Sequence, residues 1–253
     1  MSKREPFHPA IVHINCSPDI DNKTIRAINQ MVELAYNQKI QQKPMKFLDI
    51  INARPFLKSP LKYVMLHSKS NHAGYHNFFH VQTLFEQCYE ALRYETVHPS
   101  RDNVVLMAVL FHDFNHSMGE KDDAENIKRA IAGFKKWNAK YNGGNKEFFA
   151  EVVEVIKATE YPYAIAAKEL SIEQAIIRDA DLTQILQPTW IAMNVLGLAK
   201  ELKKPIGAVI GGNMEFFRNI QPQTKWFKMK WGAKQGEVFA ELEKLKEIYG
   251  QSV

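Results

Sequence analysis

Two imidazoles and a carboxylate close an apolar run at residues 106–116, whose sequence is LMAVLFHDFNH. His112, Asp113 and His116 belong to residue types that bind divalent cations. The competing interpretation is helix capping, because a histidine near a helix C-terminus is stabilised by the helix dipole. Capping does not account for Asp113, whose negative charge is unfavourable at that end of a helix. The run therefore favours metal binding.

A second pair of histidines precedes this run. In the segment 75–88, YHNFFHVQTLFEQC, apolar residues recur at helical spacing and predict a helix with one buried face. His76 and His80 stand eight and four residues before Leu84, so we expect all three on that face.

A further carboxylate, Asp181, stands midway between Ile177 and Ile185 in the sequence IIRDADLTQIL. A carboxylate within an apolar stripe needs a partner, and a cation is the strongest one available. Two ion pairs are the alternatives: Arg178 with Asp181, which are three residues apart, or Arg178 with Asp179 on the solvated face. We favour metal ligation for Asp181.

His80, His112, Asp113 and Asp181 together offer two imidazoles and two carboxylates, a set that suits Mn, Fe, Co, Ni, Zn or Mg without choosing among them. The order YHNxxH, HDxxH and ADL resembles the HD-domain superfamily of metal-dependent phosphohydrolases, over residues of about 72–186. The resemblance implies an all-α fold, a compact multi-helix bundle with the metal site between its core helices. It also implies that these four residues bind one or two divalent ions, with Asp113 able to bridge the second.

The YHNxxH spelling is similar to that of the class I cyclic nucleotide phosphodiesterases, although HDFNHS lacks the HPG continuation found there. This similarity implies that His76 is the general acid and that His116 is a supporting group or a phosphate contact. In such a mechanism a divalent cation lowers the pKa of a bound water from about 15.7 toward neutrality. Asp113 or Asp181 would orient that water, and His76 or His116 would protonate the leaving group.

Three further residues are weaker candidates for substrate binding. Glu125 lies in KDDAENIK, where a carboxylate reaches the substrate in some HD enzymes, although the segment also reads as a solvated helix start capped by Asp122 or Asp123. Lys157 and Thr159 lie in KATEYPY, a segment that in HD proteins often faces the substrate. Both are also ordinary residues for a helix end before a proline.

Hydrophobic periodicity predicts helices and almost no strands. The predicted helices span residues 22–40, 47–67, 76–94, 101–116, 123–141, 146–160, 171–186, 189–203 and 235–249. Ser100 is a candidate N-cap. Two glycine-rich breaks, YNGGN at 141–145 and IGGN at 210–213, predict turns, of which the second could hinge a lid. Neither break matches a phosphate-binding loop.

At 253 residues the chain is long enough for one helical domain over 1–253. Within it, residues 72–186 would form the HD-like core, with N-terminal helices before it and a C-terminal helical extension at 187–253. The first twenty residues lack a secretory signal and no later run reaches the ~18 apolar residues of a membrane span, so we expect a soluble cytoplasmic protein without a membrane partner. Cys16 and Cys88 alone do not indicate a disulfide framework.

The segment 224–234, TKWFKMKWGAK, interleaves lysines with aromatic residues, which can bind nucleic acid or can equally anchor a surface segment to the core. The net charge of +5 is a mild excess of basic residues. Our first hypothesis is a phosphohydrolase acting on a nucleotide or related small phosphoester: a cyclic nucleotide, a nucleoside mono- or triphosphate, or a guanosine polyphosphate alarmone. The alternative is a catalytically inactive HD scaffold that binds nucleotides or nucleic acid as a regulator, a partner class that is possible but not favoured. The sequence leaves the oligomeric state open.

Overall fold

Helices provide all the regular secondary structure of residues 45–69 and 74–250, the part of the chain that this computed structural model describes. No strand occurs within that part, so the prediction of an all-α fold is confirmed. The α-helices are, in chain order, α1 (Phe47–Ala53), α2 (Lys58–His67), α3 (Phe78–Tyr94), α4 (Pro99–Phe111), α5 (Asp123–Tyr141), α6 (Lys146–Lys157), α7 (Ile172–Leu182), α8 (Leu198–Leu202), α9 (Ile206–Arg218) and α10 (Lys225–Gly250). The predicted helix 22–40 and Cys16 lie outside the described residues.

Helix α4 occupies the centre of the bundle because most of its length has no polar face. Residues 104–111 are each at most 2% exposed. A helix that is apolar on every side is stable only when protein surrounds it, and α4 packs against α2, α3, α5, α6 and α7. Its C-terminal end therefore lies inside the bundle, which places His112 and Asp113 there.

Side-chain caps fix where the two neighbouring site helices begin. The Asn77 side chain accepts hydrogen bonds from the backbone N–H groups of Phe79 and His80, at 2.8 and 3.2 Å. Helix α3 therefore starts two residues later than predicted, and His76 precedes the helix instead of lying on its face. Ser171 and Gln174 form a capping box at the start of α7, which carries Asp181 in its last turn.

Prolines account for two errors in the predicted boundaries. The predicted helix 47–67 is interrupted at Pro55, which lacks an N–H group and disfavours helical geometry at Arg54. Helix α4 starts at Pro99, a position where a helix needs no N–H donor, and His98 rather than Ser100 is its N-cap.

The C-terminal third of the chain differs most from the prediction. Predicted helix 189–203 is a π-helix, Ile191–Gly197, followed by α8. The IGGN sequence lies inside α9 and is neither a turn nor a hinge, because Ile210, Met214 and Phe217 bury one face of this helix and offset the helix-breaking tendency of its glycines. The last helix begins at Lys225, ten residues before the predicted start.

No helix in the described part of the chain combines the length and apolar character that crossing a membrane requires. The YNGGN sequence forms the predicted turn, with Gly143 and Gly144 at positive φ. A single domain over 1–253 stays a prediction, because residues 1–44 lie outside the described part.

We expect Gly133→Ala to destabilise the protein, because a Cβ at this position would lie 2.2 Å from Cδ1 of the buried Phe114 ring. Overpacking of this kind costs about 1–3 kcal/mol. The matched control is Gly212→Ala in α9, where a Cβ would meet nothing within 4 Å and should stabilise the helix by up to about 1 kcal/mol. Urea unfolding midpoints measure both effects. A Gly133→Ala protein as stable as the wild type would contradict the close packing of α5 on the residues after α4.

Candidate metal centre and active site

Three helices bring the four predicted metal ligands together. His80 Nε2 lies 3.3 Å from His112 Nε2 and 3.1 Å from Asp181 Oδ1. Asp113 Oδ2 lies 3.2 Å from His112 Nε2 and 3.5 Å from His80 Nε2. His80 comes from the first turn of α3, His112 and Asp113 from the end of α4, and Asp181 from the last turn of α7.

The spacing of these four atoms suits a divalent cation. With metal–ligand distances of about 2.1 Å, neighbouring ligand atoms are about 3.0 Å apart in an octahedron and about 3.4 Å apart in a tetrahedron. Three of these separations, 3.1–3.3 Å, fall in this range, and the fourth, 3.5 Å between Asp113 Oδ2 and His80 Nε2, is slightly longer. His112 Nδ1 lies 2.8 Å from the Val109 carbonyl oxygen, and donation to that oxygen leaves the Nε2 lone pair for a metal. His80, His112 and Asp113 can therefore hold a metal ion, and Asp181 adjoins this group through its contact with His80.

Charge is concentrated at this cluster. Burial lowers the pKa of His112, but the Asp113 and Asp181 carboxylates outweigh burial and raise it to about 9. Burial raises the pKa of Asp113, yet the neighbouring histidines, His112 foremost, hold it well below its usual range. A cation that binds here near neutral pH must therefore displace a proton from His112.

A second group in the same cavity centres on Glu201, a residue that the sequence analysis did not single out. Its Oε1 lies 2.6 Å from His76 Nδ1. Its Oε2 accepts hydrogen bonds from the backbone N–H groups of Tyr75 and His76, at 2.9 and 3.1 Å. The Glu201 side chain is 1% exposed, so this carboxylate is committed to the YHN segment.

Close backbone contacts bring Glu201 to this position. Gly74 has a φ of +83°, and a Cβ there would lie 2.6 Å from Glu201 Oε2. The π-helix that precedes α8 also approaches closely, because a Cβ at Gly197 would lie 3.4 Å from the Gly74 carbonyl carbon. A π-helix is rare and is often found at functional sites. Gly74 permits a contact that a larger residue would block, whereas a Cβ at Gly197 would require only a small shift of its neighbours.

His76 and His116 stack on each other, with ring centroids 3.6 Å apart and ring planes 22° apart. With Glu201 these histidines form a second group whose atoms lie close enough to hold a metal ion. Imidazole lone pairs lie in the ring plane, however, so two stacked rings direct them side by side and not toward one ion. The stacked geometry suits the handling of a proton better than the binding of a metal.

The pKa values of the two stacked rings are shifted in opposite directions. Burial lowers the pKa of His76, but the charges of Asp113 and Glu201 outweigh it and the net shift is upward. Burial and the adjacent His76 lower the pKa of His116 to about 4. Its Nδ1 accepts a hydrogen bond from the Met118 N–H, and its Nε2 lies 2.8 Å from Asn126 Nδ2. His76 is therefore the more readily protonated of the two rings, and His116 is neutral near pH 7.

A cavity of about 350 Å³ gives access to both groups. Its walls include Thr159, Tyr161 and Phe216, and the last two rings pack edge to face with centroids 5.0 Å apart. The Tyr161 N–H donates to Asp123 Oδ2 at 2.6 Å, which fastens the loop after α6 to the start of α5. Asp122, one of the two N-cap candidates, caps α5.

The predicted substrate contacts divide between the cavity and the surface. Thr159 lines the cavity, and its hydroxyl donates to the Ile156 carbonyl oxygen at 2.8 Å. Lys157 is exposed and pairs with Glu154 at 2.7 Å. Glu125 pairs with Arg129 at 3.6 Å. Neither Lys157 nor Glu125 lines the cavity.

The proposed ion pairs of Arg178 do not form. Arg178 donates to the carbonyl oxygens of Ala158 and Ile165. Asp179 is fully buried instead of solvated, and it accepts three hydrogen bonds from the backbone and hydroxyl of Thr224 and the backbone of Gln223. These partners lie in another segment of the chain, which periodicity within α7 could not reveal.

The aromatic residues of segment 224–234 anchor that segment to the core. Trp226 and Phe227 are at most 1% exposed, and the Trp226 indole donates to Glu90. Lys230 also binds Glu90, at 2.5 Å, and Lys234 binds Glu237. Carboxylates thus already neutralise two of the four lysines that could have contacted nucleic acid.

One cavity therefore contains three residues that can hold a cation, with Asp181 beside them, and a histidine whose proton a buried carboxylate stabilises. A neutral histidine and an aromatic wall complete the surroundings of this pair. Comparisons with known proteins add no relative, since no family model, no curated protein and no solved structure matches this chain.

Proposed function

We propose that this protein is a metal-dependent phosphohydrolase of the HD-domain type, acting on a nucleotide or a related small phosphoester. The observation that carries the proposal is the convergence of His80, His112, Asp113 and Asp181 in the same cavity as the His76–Glu201 pair. Hydrolysis of a phosphoester needs a group of each kind. The attacking water must lose a proton, which a bound cation promotes, and the leaving oxygen must gain one, which a protonated histidine can supply.

The four converging residues would hold the cation. A bound divalent cation supplies a water whose pKa is lowered from about 15.7 toward neutrality, and it neutralises charge on the phosphoester. Imidazole and carboxylate ligands suit Mn, Fe, Co, Ni, Zn or Mg. Of the two carboxylates, Asp181 has the more exposed side chain, at 30% against 12% for Asp113. Asp181 is therefore better placed to accept a hydrogen bond from the attacking water.

His76 is the general acid in this proposal. Because Glu201 Oε1 accepts the Nδ1 proton, the other imidazolium proton, on Nε2, remains for the leaving oxygen. His116 cannot take this role near pH 7, since its pKa of about 4 leaves it unprotonated. When the pKa values of two neighbouring titratable groups are shifted in opposite directions, the group with the raised pKa is the better candidate for the acid, and the other has a supporting role.

The dimensions of the cavity support a substrate of nucleotide size. Its volume of about 350 Å³ is near the lower end of the range for small-molecule sites, about 300–1,000 Å³. The exposed ring of Tyr161, backed by Phe216, offers a flat surface on which a planar base can stack.

Product analysis tests the proposal. The purified protein is incubated with Mn²⁺ and with nucleoside 5′-mono-, 5′-tri- and 3′,5′-cyclic phosphates, and the products are separated by chromatography. We expect turnover that disappears with a chelator and in Asp113→Ala protein, and the bond that is cleaved identifies the substrate class. Protein that contains Mn²⁺ and turns over none of these compounds would contradict a nucleotide phosphohydrolase.

A further inference from the structure

Acidic side chains dominate the charge of the cavity. Asp113, Asp123, Asp181 and Glu201 all line it. Lys121 is the only lysine or arginine that lines it within the described residues. A phosphoester substrate is an anion, so we expect the Lys121 ammonium group to have a large influence on where the negative charge of the substrate binds.

The backbone at Lys121 is held firmly. The Lys121 N–H donates to the Ser117 hydroxyl oxygen at 3.1 Å, and the Ser117 N–H donates to Asn126 Oδ1 at 2.9 Å. Gly119 has a φ of +82°, and a Cβ there would lie 2.7 Å from Leu202 Cδ2. These contacts fix the loop 117–121 between the start of α5 and the end of α8.

The two acidic residues that follow Lys121 are engaged elsewhere. Asp122 accepts the Glu125 N–H as the cap of α5, at 2.9 Å. Asp123 accepts the Tyr161 N–H. The Lys121 side chain forms no ion pair within 4.0 Å in the part of the chain that the structure describes, and it is exposed at the cavity. It is therefore free to bind an anion that enters.

The loop 117–121 lies on the side of the cavity that contains the proton donor. A Cβ at Gly119 would be 3.7 Å from the Glu201 carbonyl oxygen, and the Glu201 side chain holds His76. If His76 protonates the leaving oxygen, the leaving fragment must lie on this side. Lys121 then neighbours the leaving fragment and not the phosphoryl group beside His80 and His112.

We infer that Lys121 binds an anionic group carried by the leaving alcohol, so that the preferred substrate is a phosphoester whose leaving alcohol bears a second phosphate or a carboxylate. The inference rests on the proposed phosphohydrolase function and gives it a substrate class. A contact between Lys121 and the transferred phosphoryl group would be a different role, because it would favour all phosphoesters equally.

Paired substrates test the inference. Adenosine 5′-monophosphate and adenosine 3′,5′-bisphosphate share the scissile bond, but only the second has an anion on the leaving alcohol. With Mn²⁺, we expect the wild type to have the lower KM for the bisphosphate. Lys121→Gln should raise that KM about tenfold, equivalent to about 1.4 kcal/mol, with kcat unchanged and the monophosphate KM altered less than about twofold.

Lys128→Gln is the matched control, because Lys128 is also an exposed lysine, lies near the same helix start and does not line the cavity. It should leave both KM values unchanged. Calorimetric binding to His76→Ala protein with Mn²⁺, with and without Lys121→Gln, gives a readout that does not require turnover.

Equal losses for both substrates in Lys121→Gln would place the lysine on the transferred phosphate and overturn the inference, as would the absence of any loss. Either result leaves the phosphohydrolase function standing. If wild-type protein with Mn²⁺ neither binds nor hydrolyses either compound, the nucleotide phosphohydrolase proposal fails together with the inference.

Discussion

Asp113→Asn protein should lose both its retention of Mn²⁺ and its turnover. Asp113 Oδ2 lies within 3.5 Å of Nε2 of both cluster histidines, and the substitution removes one of the two charges that attract the cation. We expect turnover to fall by more than the 10–100-fold typical of residues outside the ligand set. Wild-type protein should be stabilised by about 2.7 kcal/mol when Mn²⁺ is present at about 100 times its Kd. The variant should show no such stabilisation in thermal unfolding with and without Mn²⁺.

Asp123→Asn is the matched control for this substitution. Asp123 lines the same cavity but belongs to neither of the groups that can hold a metal ion. Its variant should keep the Mn²⁺-dependent rise in the unfolding temperature and the bound metal measured by elemental analysis. If Asp113→Asn protein is stabilised by Mn²⁺ as strongly as the wild type, the four residues are not the cation site.

Glu201→Gln should slow the chemical step about 100-fold, within the range of general acid catalysis, while metal retention stays normal. A glutamine can still accept the two backbone N–H groups, so the loop geometry is preserved. The negative charge of Glu201 raises the pKa of His76, and its removal therefore lowers that pKa. Because the acid acts in its protonated form, activity should fall at a lower pH in the variant than in the wild type. The pH profile of kcat measures the shift.

Two comparisons separate proton donation from a merely structural role. His76→Gln should remove the alkaline decline in kcat and spare Mn²⁺ binding. A Glu201→Gln protein with a lower kcat but an unchanged pH profile would show that Glu201 supports the fold and not the acid. Wild-type turnover in His76→Gln protein would rule out His76 as the acid.

The convergence of His80, His112, Asp113 and Asp181 could be predicted because the sequence around them shows local patterns that single them out. His112 and Asp113 follow a run of apolar residues, and Asp181 interrupts an apolar stripe. The sequence around Glu201 contains no such pattern. Glu201 lies in LAKELKK, where alternating charges read as a solvated helix face, and its partner His76 is 125 residues away.

The helix predictions failed where long-range packing outweighs local propensity. Two glycines in α9 predict a break, but burial of Ile210, Met214 and Phe217 keeps the helix intact. The start of α10 was missed because Thr224, which precedes it, binds the buried Asp179. Periodicity within one segment contains no information on either contact.

The position of Glu201 determines the shortest fragment of this protein that could retain the complete site. A fragment ending at Leu186 would contain all four converging residues and His76. It would lack the carboxylate that holds the His76 imidazole and receives two N–H groups of the YHN segment. The chain beyond residue 186 is thus part of the site, and any fragment that is to retain the whole cavity must extend at least through Leu202, which lines the cavity beside Gly119.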